Sequence, residues 1–385
     1  MQKPKIREID LFVTHRCNLK CQYCYHKQKD LDLDEETAVA IVKKLVTEIC
    51  PEQVSINFWG GEPFLKGNII LKVMEEVSKY YGEKQRGFQI ITNGTIYDEE
   101  LLKKMFEYFP RIQISLDGRE ETHNKKRGLW KETVENLKKF KVNFRTSVRA
   151  TVSPDTVHNL VGDMLFIRDL GITEIMHQAD IDANWNELAL KTYYAQLEEL
   201  YKIMVRRPDL GVNFISRGLR TCEGLDWWGT TFCGAGRELI AIDVNGDAYP
   251  CHRACSNSIF KLGNIFKGKI IRGLFLNTDK ITAGCVQNCP HWKFCHTCMI
   301  AHYFKNGKLD APVQDYCKYI AVEHYLAEKY FPIYKEYRKE DLLVSIGKVV
   351  SDLYDEIQEL KQKLEELNGK NKSENIFGSI SEGKS

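Results

Sequence analysis

Apolar and polar positions in the first half of the chain alternate between two periods. Short apolar or alternating runs at Ile6–Thr14, Val54–Trp59, Gly87–Thr92, Arg111–Leu116, Asn143–Val152 and Thr173–His177 predict six strands. Between them, Leu33–Ile49, Ile69–Tyr81, Asp98–Phe109, Thr133–Lys141 and Val157–Leu170 space their apolar residues as one face of a helix, and Leu188–Arg206 does so after the sixth strand. In the first of these, Val39, Ile41, Val42, Leu45, Val46 and Ile49 form the face, with Asp34 and Glu35 near its start. Strands alternating with helices predict an α/β fold of parallel strands joined by right-handed crossovers, a barrel or part of one. Six strands instead of eight leave an open side, wide enough for something larger than a metabolite.

The polar residues fall at the C-terminal strand ends. A cysteine loop follows the first strand, Gly60-Gly61-Glu62-Pro63 the second, Thr92-Asn93-Gly94 the third and Ser115-Leu116-Asp117-Gly118 the fourth, while His177 closes the sixth. In a parallel barrel those ends share one face, where active sites assemble from separate loops. Each glycine pair or Asx-Gly step also suits an ordinary tight turn. It is their common placement that points to a site.

Farther on, Glu238–Cys251 reads as a hairpin turning at Asn245-Gly246, which brings Cys251 back towards Cys233. From Ile346 to Leu367 the apolar residues follow a heptad pattern, a helix that docks on the body or pairs with another chain. The expected divisions are 1–220 for the barrel, 221–335 for a cysteine-rich region, 336–368 for a long C-terminal helix and 369–385 for a disordered tail.

A formal net charge of +2 over 385 residues gives no reason to expect nucleic acid or an anionic membrane as partner. Neither a signal peptide nor a membrane-length apolar run is present, so the expectation is a cytoplasmic protein with reduced thiols. Thirteen cysteines there suggest metal or cluster ligation, apart from the isolated Cys50, which reads as a structural thiol. Cys17, Cys21 and Cys24 can hold three irons of a four-iron–four-sulfur cluster and leave the fourth iron open. On spacing alone, zinc with His15 or His26 as a further ligand is an equal alternative.

Cys17xxxCys21xxCys24, Gly60-Gly61-Glu62-Pro63, Thr92-Asn93-Gly94 and Ser115-Leu116-Asp117-Gly118, each after its strand, together resemble the radical S-adenosylmethionine superfamily over roughly residues 7–180. In that family the open iron chelates the amino and carboxylate groups of S-adenosylmethionine, and an electron from the cluster releases a 5′-deoxyadenosyl radical. The resemblance implies a partial (β/α)6 TIM barrel. It also implies Tyr23 against the adenine, Gly60, Gly61 and Glu62 at the methionine ammonium, Asn93 and Ser115 at the ribose or carboxylate, and Arg127 as the cation for the carboxylate. Asn124 stands where the family often has Asp and is given no role; Arg149 is open between a second anion contact and a surface charge.

Nine cysteines lie from Cys222 to Cys317. Cys233, Cys251, Cys285, Cys289, Cys295, Cys298 and Cys317 resemble, in order, the SPASM extension of that superfamily, which holds two auxiliary clusters. The family's central CxxCxxxxxCxxxC appears here with its short gaps exchanged, as Cys285xxxCys289xxxxxCys295xxCys298. The resemblance implies Cys285, Cys289, Cys295 and Cys317 on an outer cluster and Cys233, Cys251 and Cys298 on an inner one. Cys222 is its favoured fourth ligand, with Cys255 or an open iron as alternatives. Zinc knuckles using Cys295, Cys298, His291 and His296 are the bland alternative.

The implied activity is modification of a peptide or protein by hydrogen abstraction, giving a thioether or carbon–carbon cross-link. Tyr249-Pro250-Cys251-His252-Arg253 resembles the run found in peptide cross-linking members. An anaerobic sulfatase-maturating oxidase is the second expectation, although His252 stands where those enzymes carry Asp. A non-enzymatic iron–sulfur electron carrier is the third. Expected partners are the peptide or protein substrate, an electron donor such as flavodoxin or ferredoxin, a separate peptide-recognition protein, and a second copy through the C-terminal coil. No catalytic base is assigned.

Overall fold

The computed structural model describes residues 4–82, 86–207, 212–224, 233–277, 288–295 and 298–339. In chain order the elements are β1 (Glu8–Thr14), α1 (Glu35–Lys44), β2 (Val54–Gly60), α2 (Gly67–Ser78), β3 (Arg86–Thr92), α3 (Glu99–Phe106), β4 (Arg111–Ser115), α4 (Glu120–Lys126), α5 (Trp130–Asn143), β5 (Thr146–Val152), α6 (Leu160–Asp169) and β6 (Ile175–Ala179). They continue with α7 (Glu187–Arg206), α8 (Asn213–Cys222), β7 (Leu239–Ile242), β8 (Asp247–Tyr249), β9 (Gly263–Asn264), α9 (Met299–Asn306) and α10 (314–339). The chain divides into two compact units, Met1–Tyr330 and Phe331–Ser385; of the second, the described residues 331–339 are helical.

β1 to β6 pair in parallel in sequence order, giving the expected partial (β/α)6 barrel. Ile56, Ile90, Ile112, Ile114 and Val148 are fully buried on one side of the sheet. Successive strand residues point to opposite faces. Their neighbours Asn57, Gln89, Gln113, Ser147 and Met176 therefore line the other side, around a cavity of about 200 Å³ that Trp59 also borders. The barrel interior is polar. Helix starts follow the sequence: Asp34 accepts the Thr37 amide at 2.8 Å, Asp98 that of Leu101 at 3.1 Å and Asn186 that of Ala189 at 2.9 Å.

The sheet does not stop at the barrel. β7 adds in parallel to the free side of β1, with Ile9 opposite Ile240, and β8 and β9 follow antiparallel, so the order is β6-β5-β4-β3-β2-β1-β7-β8-β9. The hairpin at Asn245-Gly246 forms as expected, and the Gly236 amide donates to the Pro250 carbonyl at 2.8 Å, bringing Cys251 back towards Cys233.

Three local expectations need correction. α4, Glu-Glu-Thr-His-Asn-Lys-Lys, has no apolar stripe to announce it and buries only Thr122 and His123. β5 starts at Thr146 because α5 runs on through Asn143. β6 extends to Ala179, so His177 is a buried mid-strand residue and not a strand-end group; Gln178 is polar because it lies on the interior-facing alternation. The heptads from Ile346 to Leu367 and the tail 369–385 lie outside the described residues.

Candidate active site

Backbone bonds clasp the end of β2 to the cysteine loop. The Gly61 amide donates to the Thr14 carbonyl at 3.0 Å and the Glu62 amide to the Arg16 carbonyl at 2.9 Å. A Cβ on Gly61 would sit 2.2 Å from the Arg16 oxygen and 2.8 Å from Cys17 Cβ, so only glycine allows this approach. Glu62 is fully buried. Its carboxylate accepts from the Phe64 amide at 3.0 Å, Thr92 Oγ1 at 2.8 Å and the Asn93 amide at 2.7 Å. Burial pushes its pKa from 4.5 to about 7 even against those three donors. The ends of β1, β2 and β3 are thereby locked together.

Asn93 serves the same junction. Its Nδ2 donates to Asn18 Oδ1 at 2.8 Å and lies 3.9 Å from Cys17 Sγ, while its Oδ1 accepts from the Thr95 amide at 2.9 Å. The Leu19 amide also donates to Cys17 Sγ at 3.4 Å. Burial raises the Cys17 thiol to about 11 and raises Cys21 as well, and each feels the neighbouring cysteines. Among the described residues no three Cys, His, Asp or Glu side chains close around a single ion. Three thiols on one short loop suit a multi-iron cluster, whose binding would have to displace their protons. His15 and His26 lie 3.2 Å apart through ring nitrogens, and His15 Nε2 bonds Asp243 Oδ1 at 2.5 Å.

At the end of β4 sits a second cluster of polar groups. Buried Asp117 accepts from the Tyr23 hydroxyl, from Arg127 Nε at 3.0 Å and from the Thr151 amide at 2.8 Å. The Arg127 guanidinium carbon lies 5.0 Å from the Tyr23 ring centroid. Tyr23 and Arg127, far apart in sequence, meet on a residue whose only local signal is that of a turn. Ser115 ends β4 opposite Arg149, whose guanidinium donates to Gln178 Oε1.

In the second half of the chain Cys233, Cys251 and Cys298 form one group. Burial drives the Cys251 thiol well above its ordinary range, with Cys298 and Cys233 adding to the shift. Cys255 is raised by burial beside Asp243 and Cys251; Cys222, at the end of α8, is raised to about 11 by burial beside Glu328 and Glu223. Cys289 and Cys295 lie on the segment 288–295, Cys317 lies on α10, and Cys285 is outside the described residues. His252, next to Cys251, stacks on Trp59 at 3.9 Å, and its Nδ1 lies 2.8 Å from Asp10 Oδ2 on β1. Sequence reasoning missed the partners Asp10 and Asp243, which nothing local distinguishes from surface carboxylates.

Strand-end loops around an open parallel barrel, with a three-thiol loop clasped by a Gly-Gly-Glu turn, define the class. Residues 11–167 match the family model of the Radical SAM superfamily. An Fe-coproporphyrin III synthase of Methanosarcina barkeri is 37% identical over 119 residues, 30% of this chain and 29% of that protein. An uncharacterised protein of Methanocaldococcus jannaschii is likewise matched over only 40% of its length, so the chain spans less than half of either. A mycofactocin maturase of Mycolicibacterium smegmatis is 26% identical over 324 residues, 78% of this chain and 80% of that one. The solved structure of native anSMEcpe with bound AdoMet and Kp18Cys peptide superposes with a TM-score of 0.69 at 20% identity, covering 86% of this chain and 99% of that one, which bears out the fold. No described helix is long and apolar enough to cross a membrane.

Proposed function

We propose that this chain is a radical S-adenosylmethionine enzyme that oxidatively modifies a ribosomally made peptide or protein, forming a thioether or carbon–carbon cross-link. The observation that carries the reading is the clasp of Gly61 and Glu62 on the Cys17–Cys24 loop, at the strand ends that also hold Tyr23, Asp117 and Arg127. A peptide substrate is supported by the likeness to a maturase and to a structure that holds a peptide. When bound, the cluster and S-adenosylmethionine supply a 5′-deoxyadenosyl radical able to take a hydrogen atom from an unactivated carbon.

The chain's residues hold and orient. Cys17, Cys21 and Cys24 are the ligands of the first cluster. Gly60, Gly61 and Glu62 receive the methionine ammonium, Arg127 and Ser115 its carboxylate and ribose, and Tyr23 the adenine. Asp117 fixes Tyr23 and Arg127 relative to each other. Cys233, Cys251 and Cys298 hold an inner auxiliary cluster, with Cys222 or Cys255 completing it, and Cys285, Cys289, Cys295 and Cys317 hold an outer one. The enzyme works in the reducing cytoplasm with a donor such as flavodoxin or ferredoxin.

Formylglycine formation is the second reading. It is favoured by Asp10, which bonds His252 and so brings a carboxylate beside the position after Cys251. Anaerobic reconstitution tests the scheme: about twelve irons per chain and 5′-deoxyadenosine after reduction are expected. About four irons would refute the auxiliary clusters, and no deoxyadenosine would refute the radical chemistry. Mass spectrometry of cysteine-containing peptides co-expressed with the enzyme separates the two products, since a cross-link removes only two hydrogens whereas formylglycine made from cysteine also exchanges sulfur for oxygen.

A further inference from the structure

At the opposite end of the barrel from the cysteine loop lies a cleft of about 530 Å³, built from the approaches to β1 and β2 and the segment after β9. Seven residues of β1 separate it from that loop, about 23 Å of strand. Its size is that of ligand clefts, yet no residue of the site described above lines it.

Its charges are unbalanced. Lys5, Arg7, Lys269 and Arg272 face it against Glu48 and Glu52. Both carboxylates are already engaged, Glu52 by Lys5 and Glu48 by Lys44 on α1. Arg7, Lys269 and Arg272 make no ion pair among the described residues; the Arg272 guanidinium donates to the Arg237 carbonyl, and burial lowers its pKa. Ile49, Ile265 and Ile270 also line the cleft.

We propose that this cleft docks an extended acidic segment of the peptide substrate, one that is not itself modified. Carboxylates of such a segment can meet Arg7, Lys269 and Arg272 while its apolar side chains cover the isoleucines. A nucleic acid would bring the charge without the branched apolar groups, and the chain's net charge of only +2 offers it no wider field. The inference rests on the peptide-modifying reading above. Anchoring one segment at this end raises the local concentration of the rest of the peptide at the strand-end loops.

The test is fluorescence anisotropy on the full-length, iron-loaded protein with a fluorescein-labelled peptide of alternating Glu and Leu. Its Lys-Leu counterpart and a labelled single-stranded DNA serve as comparisons. The Glu-Leu peptide is expected to bind about tenfold tighter than the Lys-Leu peptide, and more weakly as salt rises. Arg7→Glu with Lys269→Glu should weaken it by at least about tenfold, or ~1.4 kcal/mol. Circular dichroism and 5′-deoxyadenosine formation should be unchanged in the same sample. Equal binding of the two peptides, tighter binding of DNA, or affinity unmoved by the double reversal overturns the proposal. Deoxyadenosine formation tests the radical reading separately, so docking can fail while that reading stands.

Discussion

Replacing Glu62 with alanine removes the acceptor shared by the Phe64 amide, Thr92 Oγ1 and the Asn93 amide. Each buried donor left unbonded costs about 1–3 kcal/mol, so the three together cost about 3–9 kcal/mol. The wild-type chain carries an opposing cost, because burial raises the Glu62 pKa from 4.5 to about 7. A gap of that size corresponds to about 3 kcal/mol. Between those pH values the folded chain holds a proton that the unfolded chain releases. The stabilisation it brings is complete below the unfolded value and is lost as the pH rises through the folded one. Glu62→Ala should therefore cost about 3 kcal/mol more at a pH below 4.5 than well above neutral pH. Urea denaturation of the iron-free protein, followed by far-UV circular dichroism at the two pH values, measures both. A cost independent of pH, or one that grows as the pH rises, would refute the placement of this carboxylate as a buried, donor-satisfied joint.

Gly61→Ala should force the cysteine loop away from β2, since its Cβ would meet the Arg16 carbonyl at 2.2 Å. Reconstituted iron should fall by about four per chain with the circular dichroism spectrum retained, and full iron loading would contradict this. Asp117→Ala leaves Arg127 without its buried partner, at a cost of about 3–5 kcal/mol in denaturation. By calorimetry it should also weaken S-adenosylmethionine binding more than Asp117→Asn does, which still accepts the Thr151 amide. Cys298→Ala should lower auxiliary iron while 5′-deoxyadenosine formation persists, whereas Cys17→Ala should do the reverse; elemental analysis and product chromatography read both.

The barrel was legible because its strands and helices carry their periods openly, and because capping residues such as Asp34 and Asp98 sit where the helices begin. The strand-end motifs were legible because glycine and Asx residues at turns are local signals. What escaped is what the sequence distributes over distance. Asp10 and His252 are 242 positions apart, and neither has a neighbour that hints at the other. His177 was misplaced for a related reason, since strand ends are judged from apolar runs and an interior-facing Gln178 interrupts the run without ending the strand. Asp117 was visible only as half of a turn dipeptide, although its carboxylate is the point where Tyr23 and Arg127 meet.

The pairing of β7 with β1 has a consequence for how the molecule comes into being. β1 is synthesised well before one of its two partners, β7, whose Leu239 stands opposite Glu8 and follows it by more than two hundred residues. Until then a seven-residue strand, buried at every position but the first, presents an unpaired side, the kind of template on which other chains add. Such long-range pairing is intrinsically slow to form. A chain cut before β7 should therefore aggregate instead of yielding a free-standing barrel, and the nascent protein has reason to need protection until the cysteine-rich half has emerged.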